Sequence, residues 1–518
     1  MAARMDAMQD QMLIMQQELA TLRRRAAQKA EVANQDRRPR AQANRQEQTP
    51  TTRSSKQSLA QPGSSGRAPT TRSEHTPVIL ANDLACASGS YALGQVCFTP
   101  GGFVELAGIF RNRNLVSDVA TNFSAIPFRN SLLSRENEFR FTSRQSRLSG
   151  LFAAKIDPSL RVAGYLELDF LGVGVASNSR ESNSYVPRIR QVFAQVDDSD
   201  TGWHVLAGQA WSLITTNTAG ITPLKEQVPR TIDAQYVPGF NWTRNPQIRV
   251  VKDLTPGVWA GLSLESPQSV LPGSPFTAPN GVTVNYNNPG NSGGLLNSST
   301  TYSNNSAPDI AAKLAFEPGF GHLEMKGLAR FFNDRTIGRS NTETGYGIGA
   351  AATLPLFDER LDFQVSGLAG TGIGRYGSVQ LPDFALRADG SIAPIPMFQL
   401  LTGIVGHVQP GTDVYVYAGW ERAFSAGAPS TAGYGSPTLV VSGCNIEGAA
   451  GATCMAETRD IRHITGGFWH DLYKGAYGRL ATGAQLSYTE RNAFQGTFGI
   501  APSTHAIVGL ASLRYYPF

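Results

Sequence analysis

The stretch DIAAKLAFE, residues 309 to 317, alternates polar and apolar side chains over most of its length. Successive side chains of a β-strand point to opposite faces, so this spacing predicts a strand with one polar and one apolar face. The polar face carries Asp309, Lys313 and Glu317, and the apolar face carries Ile310, Ala312, Leu314 and Phe316.

The same period of two recurs from Gly101 to the end of the chain, for example in RVAGYLELDF (161 to 170) and VWAGLSLES (258 to 266). About sixteen or seventeen segments follow it, with no helical pattern between them. Strands of this kind, joined alternately by very short turns and long Gly-, Asn- and Ser-rich loops, are typical of outer-membrane β-barrels. The sequence therefore predicts an all-β fold, a transmembrane antiparallel β-barrel of about 16 strands over residues 101–518.

Composition agrees with a barrel that crosses the membrane with strands. Charged residues are 16% of the chain, glycines number 53, and no run of about 18 consecutive apolar residues is present. We expect short turns such as 356–360 and 410–413 to face the periplasm. Long segments such as 267–308 are expected to face outward.

The N-terminal segment reads differently. Apolar residues recur there at spacings of three and four, which is a heptad pattern and predicts a coiled-coil oligomerisation helix over residues 1–34. An amphipathic helix that packs on its own domain is the alternative. The seam residues are Met5, Met8, Met12, Met15, Leu19, Leu22 and Ala26.

Residues 35–78 are polar and rich in Arg, Gln, Ser, Thr and Pro, which predicts a flexible basic linker. Residues 1–78 hold 13 Lys and Arg against 7 Asp and Glu, so the net charge of +5 belongs to this extension. The charge gives no reason to expect a nucleic-acid partner. Contact with anionic cell-wall polymer or lipid is one interpretation of the linker, and a solvated spacer is the other.

Four cysteines fall into two close pairs, Cys86 with Cys97 and Cys444 with Cys454. Their spacing predicts two local disulfides in an oxidising envelope compartment, with unrelated reduced thiols as the alternative. The first pair belongs to a pre-barrel segment, residues 79–100. No C-x-x-C motif suggests a metal, and no catalytic motif or cofactor-binding loop is visible, so we expect neither an enzyme nor a cofactor.

Arginines recur on the polar faces of the early strands. An arginine on the lipid side near mid-bilayer costs roughly 2 to 4 kcal/mol, so these side chains should point into the lumen and bind anions. Simple neutralisation of lumenal carboxylates is the alternative. The predicted pore-lining set is Arg140, Arg144, Arg147, Arg161, Arg188, Arg190 and Arg249, faced by a negative wall of Glu167, Asp169, Glu265 and Glu324.

Two local irregularities are also expected. Arg147 has the opposite parity from Arg144, and the apolar face changes parity between Gln145 and Phe152. A bulge or two separate strands are therefore expected there. The segment after GQAWSLITT is a poor strand and a poor helix, which predicts an inward loop that narrows the pore. Its constriction candidates are Lys225, Arg230 and Asp233.

The sequence resembles the DcaP-like outer-membrane dicarboxylate porins in its heptad helix, TSRQSRLSGL, WHVLAGQAWS and terminal Phe518. The resemblance implies a homotrimeric porin in the bacterial outer membrane, surrounded by lipid and lipopolysaccharide, with the helix periplasmic. It also implies passage of small organic anions, with Arg144 and Arg147 matching the arginines of the motif. A barrel that only tethers the outer membrane to the cell wall, and a non-selective general porin, are the alternatives.

Overall fold

The computed structural model describes residues 86, 89–172, 186–271, 284–285, 305–427 and 433–518. The predicted coiled coil (1–34), the linker (35–78) and part of the pre-barrel segment lie outside the described residues. Within the described part, no helix is long and apolar enough to cross a membrane.

Strands dominate the described residues, and the remaining regular elements are short 3-10 turns. The strands are β1 (Tyr91–Leu93), β2 (Val96–Arg111), β3 (Glu138–Thr142), β4 (Arg147–Lys155), β5 (Leu160–Gly172), β6 (Val186–Asp198), β7 (Trp203–Trp211), β8 (Arg244–Thr255), β9 (Val258–Glu265), β10 (Val284–Asn285), β11 (Asp309–Phe316), β12 (His322–Thr336), β13 (Arg339–Leu356), β14 (Leu361–Thr371), β15 (Phe384–Leu386), β16 (Ile392–Pro394), β17 (Pro396–Gln409), β18 (Thr412–Ala423), β19 (Thr458–Gly475), β20 (Gly478–Ala493) and β21 (Ser503–Tyr516).

The wall is a closed antiparallel barrel of sixteen strands within the described residues. Each wall strand pairs with the next one along the chain, and β21 pairs with β2 to close the cylinder. β3 and β4 both pair with β2 and together make one wall strand. The small hairpin of β15 and β16 forms a separate sheet. The predicted all-β barrel and its strand number are therefore confirmed.

The two ends of the barrel differ in the length of their connections. At one end, which we call the short-turn end, the connections have two to five residues. The opposite, long-loop end carries the longer segments, including 112–137, 212–243, 372–395 and 424–457. The predicted turns at 356–360 and 410–413 lie at the short-turn end, and most of 267–308 lies outside the described residues.

Alternation along each strand separates an apolar outer surface from a polar lumen. In β9 the side chains of Leu262 and Leu264 are 53% and 45% exposed on the outside, whereas Ser263 and Glu265 are buried inside. β21 behaves in the same way, because Leu513 is exposed and Arg514 faces inward. The period of two in the sequence thus reports the two faces of the wall.

The predicted irregularity after Gln145 is a break in the wall between β3 and β4, at residues 143–146. Beside this break, Gly102 of β2 lies opposite Leu148, has a φ of +124°, and would place a Cβ 2.1 Å from the carbonyl oxygen of Arg147. Only glycine allows this approach, so the bent wall strand requires it.

Both predicted disulfides are present. Cys86 bonds to Cys97 at the start of β2, and Cys444 bonds to Cys454 in the connection 424–457. Because each bridge closes a loop of about ten residues, each restrains its own segment and neither crosslinks distant parts of the barrel.

Candidate functional site

Three of the long connections, 112–137, 212–243 and 372–395, fold into the lumen and contact one another. Ala234 donates a backbone hydrogen bond to the carbonyl of Val119 at 3.3 Å, and Trp242 donates one to the carbonyl of Tyr376 at 2.8 Å. Apolar side chains from these segments pack against the inner wall. The lumen is therefore partly filled, and any path for a solute lies in what these connections leave open.

A buried charge cluster fixes the beginning of 212–243 to the wall. The Lys313 ammonium lies 3.0 Å from Glu324 and donates to the carbonyl of Thr215 at 2.6 Å. Glu324 also accepts the backbone N–H of Asn217 at 2.7 Å. Each charge has a partner, which is the condition for burying such groups.

A second cluster fixes 372–395. Arg330 is fully buried and pairs with Asp309 at 3.1 Å and with Asp383 of the connection. The Tyr376 hydroxyl donates to Asp309 at 3.0 Å. These two clusters attach the connections 212–243 and 372–395 to the half of the lumen lined by β11 and β12.

The opposite half, lined by β2 to β6 and β19 to β21, keeps a cavity of about 490 Å³. It extends toward the short-turn end, because Arg479 and Tyr516 on its wall are paired residues next to the turn 476–477. Five arginines line it, but only two carboxylates, so its lining carries an excess of positive charge. These residues are Arg147, Arg190, Arg230, Arg479 and Arg514, with Glu167 and Asp233.

The wall beside this cavity carries an alternating row of charges, which we call the charge ladder: Arg188, Asp169, Arg190, Glu167 and Arg147. Its four ion pairs have N to O distances of 2.6, 3.0, 2.9 and 3.0 Å in that order. The outer rungs are the most accessible, since the Arg188 and Arg147 side chains are 38% and 29% exposed. Three cations and two anions leave the ladder one positive charge in excess.

The segment TSRQSRL (142–148) contacts three different parts of this region through Arg144, Gln145 and Arg147. Arg144 donates to the carbonyls of Phe170 at 3.0 Å and Gly172 at 2.8 Å, and so holds the end of β5 against the break in the wall. Gln145 donates to the carbonyl of Ile232 at 3.0 Å and fixes the inward connection 212–243. Arg147 then belongs to the ladder.

The predicted pore-lining arginines therefore divide by role. Arg147, Arg188 and Arg190 come together in the ladder, and Arg140 is a half-exposed partner of Glu138 at 2.6 Å. Arg144 also pairs with Asp118 at 2.9 Å and lies outside the cavity lining, so the predicted pore-lining role is replaced by that of a structural brace.

The other two predicted arginines lie away from the cavity. Arg161 is buried near the short-turn end, opposite Asp197 in the register of β5 and β6. Arg249 is buried and donates to Gln247 at 3.1 Å and to the carbonyl of Trp211, beneath the inward connection. Neither residue contributes to the cavity lining.

The expected negative wall facing the arginines is also corrected. Glu167 and Asp169 lie between arginines of the ladder, because adjacent strands bring them into register. Glu265 accepts the backbone N–H of Leu213 at 2.9 Å, and Glu324 binds Lys313. These last two carboxylates hold the connection 212–243 and do not face an open channel.

The segment after GQAWSLITT lies inside the lumen, which agrees with the prediction. Its three constriction candidates differ from one another in exposure and in whether they line the cavity. Arg230 is exposed, lines the cavity and pairs with Asp413. Asp233 also lines the cavity, but it is buried and accepts the backbone N–H groups of Thr121 at 3.0 Å and Gln235 at 2.8 Å. Lys225 is exposed and lies outside the cavity lining.

Sequence reasoning missed Arg514 and Arg479, which are cavity residues of the last two strands. Arg514 pairs with Glu105 at 3.0 Å and stacks on Phe103, and Arg479 pairs with Asp471 at 2.6 Å. The signal was present, because Arg514 interrupts the terminal strand at a position with the parity of the lumen. In the described part of the chain, no group of three His, Cys, Asp or Glu residues is arranged to hold a metal ion.

Comparison with solved structures finds the same architecture. The outer membrane channel DcaP of Acinetobacter baumannii is 16% identical to this chain, with a TM-score of 0.58 over 82% of this chain and 99% of DcaP. This barrel has the fold of that channel. OmpT of Vibrio cholerae (9% identity, TM-score 0.44) covers 82% of this chain and 99% of its own. The anion-selective porin of Comamonas acidovorans (11%, 0.41) covers 81% and 99%.

No protein-family model matches the sequence, and no curated protein sequence matches it. The resemblance noted in the sequence is thus confirmed at the level of the DcaP fold.

Proposed function

We propose that this chain is a trimeric outer-membrane porin that lets small organic anions, dicarboxylates among them, diffuse through an arginine-lined lumen. The observation that carries the proposal is the row of guanidinium groups that a solute meets in this cavity, five arginines against two carboxylates in the lining. Arg230, Arg479 and Arg514 each pair with a carboxylate behind the lining, so the surplus is one of the cavity surface. A cavity with that lining attracts anions and repels cations.

The charge ladder supports a pathway along the wall. A guanidinium has five N–H donors, and the ion pairs of Arg147 and Arg188 use only part of them. An entering carboxylate therefore binds the unused edge of one arginine before it reaches the next. The resident carboxylates, Glu167 and Asp169, keep each site weak enough for release, as conduction requires.

A non-selective porin is the second candidate, favoured by one specific observation. Arg140, Arg188 and Arg190 each have a carboxylate partner within 3.0 Å, so much of the positive charge is compensated locally. Arg147, Arg230, Arg479 and Arg514 have carboxylate partners as well, so this candidate predicts little preference for anions.

The test is the reversal potential of purified protein in planar bilayers under a KCl gradient. We expect the wild-type protein to prefer chloride and Arg147→Gln to lose a large part of that preference. Glu167 keeps Arg190 as a partner in this variant, so the wall should stay intact.

Arg140→Gln is the matched control, because its partner Glu138 keeps Arg111 at 2.8 Å and Arg140 lies outside the cavity. The control should resemble the wild type. A cation-preferring wild type, or equal selectivity in all three proteins, would refute the arginine pathway and favour a general porin or a tether.

Trimerisation through the heptad helix is the remaining part of the proposal. Deleting residues 1–30 should reduce trimers in native mass spectrometry and leave the conductance of each barrel unchanged. A trimer that persists without the helix would indicate that the assembly interface lies on the barrel wall.

A further inference from the structure

Arg244, the first residue of β8, lies at the long-loop end, directly after the inward connection 212–243. Its guanidinium carbon lies 5.1 Å from the ring centre of Trp211 and 5.3 Å from that of Trp242. The two indoles stand 5.7 Å apart at 59° to each other. They form a corner that holds the guanidinium by cation–π contact and orients its plane.

The described residues give Arg244 neither an ion-pair partner nor a side-chain hydrogen bond, and its Nη1 atom is buried without a hydrogen-bond partner. The neighbouring arginines differ, because Arg188 and Arg190 both bind Asp169. A buried donor without an acceptor costs free energy, and an incoming acceptor regains it. No described side chain uses the donors of Arg244, so they remain available to an acceptor that approaches the accessible part of its guanidinium.

The charges around Arg244 also favour an anion. The groups that act on it electrostatically include Arg190, Arg188 and Glu167. Glu167 is itself held by Arg190 and Arg147, so it is not available to neutralise Arg244. The local surplus is positive, and Arg244 is half-buried, so part of the residue remains accessible.

We infer that Arg244, held by Trp211 and Trp242, is a docking site for the carboxylate of an organic anion, separate from the charge ladder. The two tilted indoles contact the guanidinium from neighbouring sides and hold it in place. A planar carboxylate accepts two N–H bonds from the edge of a guanidinium in one plane. The inference deepens the proposed function by giving the anion a binding position before it reaches the ladder.

The test measures binding directly, so that it does not depend on ion selectivity. Saturation-transfer difference NMR with acetate as the probe, at constant ionic strength, gives its dissociation constant for the protein in detergent. We expect Arg244→Gln to weaken acetate binding about tenfold, as the loss of a charge-assisted hydrogen bond implies. Arg244→Lys should weaken it by several-fold, because an ammonium keeps the charge but not the planar edge.

Arg140→Gln is again the control and should bind acetate like the wild type. Far-UV circular dichroism and the heat-dependent gel migration of the barrel show whether each variant is folded. Equal acetate affinity in wild type and a folded Arg244→Gln would overturn this inference even if the wild type is anion-selective. Loss of acetate binding in Arg244→Gln would uphold it even if reversal potentials refute the proposed function.

Discussion

Replacing Glu167 with glutamine tests the charge ladder most directly, because the change keeps the side-chain shape and removes one negative charge. Glu167 is buried and accepts hydrogen bonds from Arg190 at 2.9 Å and Gln191 at 2.8 Å, and pairs with Arg147 at 3.0 Å. The excess charge of the ladder rises from one to two. We therefore expect stronger anion selectivity in Glu167→Gln than in the wild type.

The size of the effect follows from Coulomb's law. A unit charge about 6 Å from a passing ion contributes about 0.7 kcal/mol in water, with opposite sign for anion and cation. The permeability ratio of chloride to potassium should then rise about tenfold without screening. The Debye length is about 10 Å at 0.1 M salt, where the expected increase is about fourfold. At 1 M salt the Debye length is about 3 Å, and the expected increase is below about twofold.

The assay is the reversal potential at both salt concentrations, with Glu138→Gln as a carboxylate control outside the cavity. Glu167→Gln also leaves two guanidinium groups with a weaker acceptor, so we expect the unfolding free energy in urea to fall by about 3 kcal/mol. An unchanged or smaller chloride preference at 0.1 M in a folded variant would refute the ladder as the source of selectivity.

Two other perturbations address the connections. Gln145→Leu removes the buried hydrogen bond to the carbonyl of Ile232 at 3.0 Å, so the free energy of unfolding should fall by about 1 to 3 kcal/mol. The connection 212–243 is then held less firmly, and the current noise should increase. A channel as quiet as the wild type would contradict this. Burial raises the pKa of Glu457 to about 7. Its protonated form therefore stabilises the connection 424–457 fully below pH about 4.3, the ordinary pKa of a glutamate, and this stabilisation is lost as the pH rises through about 7. The measurement is hydrogen exchange at Gly435, whose N–H donates to Glu457, corrected for the intrinsic exchange rate. The exchange should accelerate between pH 5 and 8 in the wild type and be independent of pH in Glu457→Gln. The same pH dependence in both proteins would exclude Glu457 as the cause.

The barrel wall was predictable because the two faces of each wall strand lie in different environments. The alternation in 309–317 and 258–266 reports an apolar exterior and a polar interior, and the structure repeats it residue by residue. The break near Gln145 was also visible, since the parity of the apolar face changes there and a continuous strand cannot change parity.

The roles of individual arginines were not predictable, because role depends on partners that are distant in sequence. Arg144 and Arg147 are three residues apart, yet one braces the end of β5 and the other faces the cavity. Inward folding of 112–137 and 372–395 was missed for a related reason. Their apolar residues are spaced without a period, so the sequence does not indicate which surface they cover.

The seam between β2 and β21 joins segments about 400 residues apart in sequence, from Val104 with Tyr515 to Arg111 with Val508. During synthesis, β2 must wait for nearly the whole chain before its partner emerges. Until then β2 exposes unpaired backbone groups on the edge that β21 will cover, and such groups invite pairing with other chains. Closure of this seam is therefore a late, slow step of high contact order. A chain truncated before β21 would leave β2 and β20 as two open edges and become prone to aggregation.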